Sequence, residues 1–192
     1  MHDLIIIGAG PAGITASVYA ARKKMDPLVI TKDIGGQAAW SGDIENYTGY
    51  QFITGPQLAQ KFEEHMRQYN ISLRENEGVL EVKKIKETVS VKTDKGSYEA
   101  RTAIIASGKK SRELNVPGEK EFKNKGLTYC ATCDGPLFAG KDVAVIGGGN
   151  SALDAALQLI KIASKVYIIN ITFLLFSLQY FYEHNNSHLE KL

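Results

Sequence analysis

The stretch Leu4-Ile5-Ile6-Ile7-Gly8-Ala9-Gly10-Pro11-Ala12-Gly13 limits what this chain can fold into more than any other. Four consecutive aliphatic residues give the pattern of a strand buried on both faces of a parallel sheet. A G-x-G-x-x-G turn follows at once, and the small and apolar residues of 12–22 predict a helix. Residues 27–30, Pro-Leu-Val-Ile, read as the next strand and complete a β-α-β unit. In such a unit the first glycine permits the tight turn and the second lets the backbone approach a pyrophosphate. The third allows close packing of helix on strand. The helix N-terminus meets the anion with free N–H groups and the positive end of its dipole. The competing reading is a glycine-rich turn that binds nothing, and the agreement of strand, spacing and helix argues against it.

The strand ending at Ile30 is followed by Thr31 and Lys32, with Asp33 nearby, rather than by a carboxylate placed for a ribose hydroxyl. This turn alone therefore leaves FAD and NAD(P) both open. Residues 33–54 are rich in Gly, Asp, Asn and Thr without helical period, and are expected to form a long functional loop. Gly55-Pro56 opens a helix to about residue 68, with Leu58, Ala59, Phe62 and Met66 on one face. Within 79–100, the alternation at 89–93, the turn Asp94-Lys95-Gly96 and the run 97–100 predict an antiparallel hairpin region. Residues 101–106 read as another buried strand, ending at Ser107-Gly108. A strand at 142–146 then runs into Gly147-Gly148-Gly149, followed by a helix at 151–162 and a strand at 165–169. The β-α pattern has restarted. The fold class is α/β: a parallel sheet with an antiparallel meander, then the interrupted start of a second dinucleotide-type fold.

A length of 192 residues holds one domain with a sizeable core, or one domain and part of another. With 23 basic and 21 acidic residues interspersed, the charge of +2 gives no electrostatic reason to expect nucleic acid or an anionic membrane as partner. Met1-His2-Asp3 leads directly into the apolar run, which argues against a secretory signal and for a cytoplasmic protein. Both cysteines, Cys130 and Cys133, form one C-x-x-C. In a reducing compartment that spacing suits redox exchange, in which one thiolate attacks a disulfide and its neighbour resolves the mixed intermediate. Asp134 follows immediately and can carry the proton that thiolate chemistry requires. A zinc half-site and a pair of inert cysteines are the alternatives. The four scattered histidines, His2, His65, His184 and His188, make a closed metal site hard to assemble, so no metal is expected.

Beyond the first glycine turn come Gly35-Gly36-Gln37, Glu45-Asn46-Tyr47, Ala106-Ser107-Gly108, Cys130-Ala131-Thr132-Cys133-Asp134 and Gly147-Gly148-Gly149-Asn150-Ser151-Ala152. In this order the motifs resemble those of low-molecular-weight thioredoxin reductases, over roughly residues 1–169. The flavoprotein subunit of alkyl hydroperoxide reductases is similar in its C-terminal part. The resemblance implies a Rossmann-like FAD-binding domain at 1–113, a partial NADPH-binding domain carrying the redox motif at 114–169, and a divergent tail at 170–192. It further implies that electrons pass from NADPH to FAD, to the Cys130/Cys133 disulfide and on to thioredoxin. Gly8, Gly10, Pro11, Ala12 and Gly13 would hold the FAD pyrophosphate, with Gly36, Gln37, Asn46, Ala106, Ser107 and Gly108 also on the FAD side. Gly147, Gly149, Asn150, Ser151 and Ala152 would form the NADPH pyrophosphate loop, alanine replacing the third glycine. Cys133 would face the flavin, Cys130 would attack the substrate disulfide and Asp134 would be the general acid. A homodimer, and rotation of one domain against the other, belong to the same implication.

Two departures qualify it. Where the family continues with a His-Arg-Arg segment for the NADPH 2′-phosphate, this chain reads Asn170-Ile171-Thr172. The rest of the NADPH domain and the return to the FAD domain are missing, which implies a C-terminally truncated relative and, as the alternative function, a catalytically impaired FAD-binding remnant. The aromatic-rich stretch after Asn170 is about half as long as a membrane-spanning helix requires. It is read as a non-native or truncated end rather than an amphipathic partner-binding segment.

Overall fold

The computed structural model describes residues 1–170 and the backbone of the short strand Phe176–Ser177. The remaining tail, with the expectations placed on it, lies outside the described residues. The chain divides into two compact units, Met1–Arg112 and Glu113–Leu192. Among the described residues no helix is long and apolar enough to cross a membrane.

In the first unit, β1 (His2–Ala9) lies at the middle of a six-stranded sheet. Its neighbours are β2 (Pro27–Ile34) and β8 (Ser97–Ile105), both parallel to it. A three-residue strand, β5 (Ser72–Arg74), extends the parallel part beyond β2. On the far side, β6 (Val79–Ile85) and β7 (Thr88–Thr93) join β8 as an antiparallel meander. The first half of β8 pairs with β7 and the second half with β1, so one strand serves both parts of the sheet.

The alternation of β1 builds two cores. Leu4, Ile6 and Ala9 pack with Val29 against Ile14 and Val18 of α1 (Pro11–Arg22) and Met66 of α3 (Gly55–Arg67). Ile5 and Ile7 turn the other way, joining Leu28 and Ile30 beneath Val91 and Ala100 of the meander. Each fully buried aliphatic side chain contributes about 1.5–3 kcal/mol, so the run at Leu4–Ile7 is the chief anchor of this unit. Pro11 fits the first turn of α1, where its missing N–H loses no bond. At α3, Thr54 and Gln57 form a reciprocal capping box, each side chain taking the other residue's backbone N–H.

The structure differs from expectation in four places. Residues 33–54 are not one loop: they hold α2 (Gly36–Trp40) and the paired two-residue strands β3 (Asp43–Ile44) and β4 (Ile53–Thr54). Elements this short show no measurable period. Residues 101–106 are not a separate buried strand but mostly the second half of β8, where Ile104 is 40% and Ile105 68% exposed. That half is held in the sheet by its pairing with β1 alone, since β7 reaches only as far as Ala100. The helix expected at 151–162 ends at Leu159, whose carbonyl accepts the N–H groups of both Ile162 and Ala163. The strand β5 has no counterpart in the sequence pattern, since three residues carry too little alternation to register.

The second unit contains α4 (Glu119–Phe122), α5 (Ala131–Asp134), a 3-10 turn at Gly135–Phe138, β9 (Asp142–Ile146), α6 (Asn150–Leu159) and β10 (Lys165–Ile169). β9 and β10 are parallel, and β11 (Phe176–Ser177) pairs antiparallel with β10. Val145, Val166 and Ile168 of the sheet bury against Ala156 and Leu159 of α6, with Ala131 of α5 at the margin.

Candidate active site

The first glycine turn has the stereochemistry a pyrophosphate cradle demands. Gly8 has φ +102°, and a Cβ there would stand 2.4 Å from the Ala106 carbonyl oxygen. A Cβ on Gly13 would be 1.8 Å from the Gly8 carbonyl oxygen. These two glycines are required by the fold. Gly10 is different: it is extended, at φ −75° and ψ −179°, and a Cβ would meet nothing within 4 Å. Its openness lies at the N-cap of α1, which no side chain caps, so the first-turn amides of Ala12 and Gly13 are left to an outside acceptor. The residues fit a bound dinucleotide phosphate.

Gly35, Gly36 and Ala106, also singled out in the sequence, pack at this turn. Gly36 lies close enough that its Cβ would be 3.2 Å from the Gly10 Cα, and the Gly35 N–H donates to the Ala9 carbonyl at 2.8 Å. Ala106 donates its N–H to Ile7 at 2.8 Å, which places Ser107 and Gly108 at the C-terminal end of β8, beside β1. The Gln37 side-chain amide donates to the Lys109 carbonyl, tying α2 to the segment after β8. Asn46 is exposed between β3 and β4 and has no hydrogen bond among the described residues. Thr31, which follows Ile30 where a ribose-binding carboxylate would stand, turns inward instead. Its hydroxyl accepts from the Ala9 N–H at 3.1 Å and donates to the Asp33 carbonyl at 2.5 Å. Thr31 therefore braces the glycine turn, while Asp33 stays exposed.

In the second unit, the Gly147-Gly148-Gly149 turn repeats the design with one change. Gly147 has φ +129°, its N–H donates to Ile169 at 2.8 Å, and its Cβ would stand 3.3 Å from the Cβ of Ala152. Ala152 thus fills the place of a third glycine without displacing the turn. Gly149 caps α6 in extended conformation with open space where its Cβ would be, next to exposed Asn150 and Ser151. The Asn170 amide lies over Gly148, its Nδ2 only 2.2 Å from where a Cβ would be.

Cys130 and Cys133 form a disulfide with Cα atoms 5.3 Å apart, inside the ordinary range. Cys130 is the N-cap of α5, and its sulfur accepts the Cys133 N–H at 3.2 Å. Cys130 is half-buried and Cys133 exposed. Thr132 donates to Gln158 of α6 at 2.8 Å, which holds the middle of the motif on the helix. Asp134, half-buried, donates its N–H to the Cys130 carbonyl at 3.0 Å. Its carboxyl accepts from the Thr128 hydroxyl. The arrangement can undergo thiol–disulfide exchange with a carboxyl group at hand.

Sequence reasoning missed one buried carboxylate beside this site. Glu119, 5% exposed, accepts from the Tyr129 hydroxyl at 2.5 Å and from the N–H groups of Leu114 and Asn115 at 2.7 and 2.6 Å. The signal available was an acidic residue in the first turn of a helix just after Pro117-Gly118. The Tyr129 hydroxyl, then the backbone donors, hold the Glu119 carboxyl below its ordinary range, and Glu119 pushes the Tyr129 phenol up to about 12. A lowered carboxyl stabilises the fold above the ordinary glutamate range, and that contribution is lost as pH falls through the lowered value. A raised phenol stabilises below its ordinary value of 10.0 and loses that contribution as pH rises towards about 12. Denaturant midpoints measured across pH are therefore expected to show a shallower acid loss for Glu119→Gln and a shallower alkaline loss for Tyr129→Phe than for the parent chain. Parallel curves would contradict both.

The family model for pyridine nucleotide-disulphide oxidoreductases matches residues 2–186. The chain is 44% identical over 171 residues to the thioredoxin reductase of Bacillus subtilis (strain 168), covering 88% of this chain and 54% of that protein. It is 43% identical over 171 residues to an alkyl hydroperoxide reductase subunit of Pseudomonas aeruginosa, covering 87% of this chain and 33% of that protein. The crystal structure of thioredoxin reductase from Streptococcus pyogenes MGAS5005 superposes with a TM-score of 0.82 at 43% identity, covering 88% of this chain and 55% of that one. The chain spans about half the length of the thioredoxin reductases it matches.

Proposed function

The chain belongs to the pyridine nucleotide-disulphide oxidoreductase family, and on that premise we propose that it acts as a flavoprotein reductase carrying electrons from NADPH, through FAD, to the Cys130–Cys133 disulfide and on to thioredoxin or a thioredoxin-like protein. The observation that carries this reading is a partly exposed C-x-x-C disulfide, followed at once by Asp134 whose carboxyl the Thr128 hydroxyl holds, in a chain with two glycine turns at helix N-termini. FAD, when bound, supplies the chemistry that takes a hydride from a nicotinamide and delivers an electron pair to a disulfide.

In this reading Gly8, Gly10, Pro11, Ala12 and Gly13 hold the FAD pyrophosphate through the first-turn amides of α1. Gly36, Gln37, Asn46, Ala106, Ser107 and Gly108 border the same ligand. Gly147, Gly149, Asn150, Ser151 and Ala152 hold the pyrophosphate of the nicotinamide nucleotide. Opening the disulfide consumes two electrons and two protons and leaves two thiols. Cys133 is the sulfur that receives electrons. Cys130, whose sulfur accepts an amide hydrogen bond suited to negative charge, attacks the partner's disulfide; Cys133 then resolves the mixed disulfide. Asp134 donates the proton that the departing sulfur takes. A reducing compartment suits such a pair, and a cytoplasmic homodimer is the proposed working form.

The resemblance to the alkyl hydroperoxide reductase flavoprotein supports a second reading, in which the electrons go to a disulfide of a peroxide-reducing system instead. The test is anaerobic addition of NADPH to the FAD-loaded chain, following the flavin bands and counting thiols. Bleaching with about two new thiols per chain is expected from the stoichiometry of disulfide reduction. Bleaching with no new thiol would overturn the proposed electron path. Oxidised thioredoxin added afterwards should reclaim those thiols, and failure to do so would favour the second reading.

A further inference from the structure

We propose that Thr128 is a positioning residue that aims the Asp134 carboxyl at the Cys130–Cys133 pair, a role that rests on the reading of Asp134 as proton donor. A threonine hydroxyl has one proton and two lone pairs. The Cys130 N–H donates to the Thr128 oxygen at 3.1 Å, and the single hydroxyl proton is directed to the Asp134 carboxyl. The Asp134 N–H in turn donates to the Cys130 carbonyl at 3.0 Å. Two links therefore join Cys130 to Asp134, one through the main chain and one through Thr128.

The main-chain link fixes the backbone of residue 134 but leaves its side-chain torsions free. The Thr128 link removes that freedom. Thr128 and Asp134 are both half-buried, so water competes only in part for their bond. Among the described residues the second carboxyl oxygen of Asp134 accepts no hydrogen bond, which leaves it available to a departing sulfur.

The step this geometry serves takes an external dithiol as reductant. One dithiol sulfur, as thiolate, attacks one sulfur of the Cys130–Cys133 bond. That S–S bond breaks as a mixed disulfide forms, and the departing sulfur takes the Asp134 proton. The second dithiol sulfur then displaces the remaining cysteine, closing a cyclic disulfide, and the protons lost by the dithiol restore Asp134 and protonate the second cysteine. The protein gains two thiols and the reductant is oxidised by two electrons.

The test measures the rate at which dithiothreitol reduces the disulfide in the full oxidised chain at fixed pH, read by thiol count. Asp134→Asn is expected to slow reduction by about 100-fold, the low end for a general acid. Thr128→Val is expected to slow it by roughly tenfold through misplacement of that acid, while Thr128→Ser, which keeps the hydroxyl, stays within about twofold of the parent. The double variant Thr128→Val/Asp134→Asn is expected to be no slower than Asp134→Asn within about twofold, because the two changes remove one function. Thr128→Ala must reproduce the valine pattern if valine disturbs folding. An unchanged rate in Asp134→Asn would remove the proton-donor reading and this inference with it. A slow Asp134→Asn beside an unchanged Thr128→Val would overturn the inference alone, as would an equal slowing by Thr128→Val in both backgrounds.

Discussion

Gly10→Ala is expected to weaken FAD binding by on the order of 100-fold or more while leaving the flavin-free chain within about 0.5 kcal/mol of its parent stability. The two effects separate because of where Gly10 sits. Its backbone is extended, a conformation alanine adopts freely, and the added carbon would meet no protein atom within 4 Å. That carbon would instead stand over the uncapped first turn of α1, where a pyrophosphate takes charge-assisted hydrogen bonds of about 1.5–3 kcal/mol each. Gly13→Ala is expected to behave in the opposite way. Its carbon would lie 1.8 Å from the Gly8 carbonyl oxygen, a backbone atom unable to yield without moving β1 or α1. A loss of about 1–3 kcal/mol in the flavin-free chain follows, visible as a lower denaturant midpoint. Equal loss of stability in both variants would mean that Gly10 is a structural glycine and that the turn is not an open cradle.

Replacing either cysteine by serine is expected to abolish NADPH-driven thiol production, by about 1,000-fold or more, since the two sulfurs act as one unit. Flavin uptake should persist in both variants, because the first glycine turn belongs to the unit Met1–Arg112 and the cysteines to the second. The two variants should nevertheless differ in alkylation rate. In Cys133→Ser the remaining Cys130 sulfur keeps its place at the N-cap of α5, where an amide hydrogen bond supports negative charge. Cys130→Ser leaves Cys133 without such a donor among the described residues. Faster alkylation of Cys133→Ser is therefore expected, and the reverse order would exchange the proposed roles of the two sulfurs.

What can be read from the sequence follows the physics of pattern length. The run at Leu4–Ile7, the glycine turn and the helix behind it each announce themselves, because buried parallel strands are uniformly apolar and a G-x-G-x-x-G has few other uses in that position. The same holds for β9, the second turn and β10. The helix Gly36–Trp40 and the strands at 43–44 and 53–54 cannot be read, since none is long enough for a period to emerge. The inward turn of Thr31 is invisible for another reason: the same residue type serves as a ligand contact or a brace, and only the position of the Ala9 N–H decides. Thr128, Tyr129 and Glu119 belong to that class as well. Their bonds join residues 6 to 10 positions apart through an irregular segment whose course no local preference dictates.

The most direct measurement is a titration of the purified, flavin-free chain with FAD, read by quenching of flavin fluorescence. The account predicts saturable binding of about one FAD per chain, sharply weakened in Gly10→Ala. A parent chain that takes up no FAD, or takes it up equally with and without the Gly10 substitution, would contradict it.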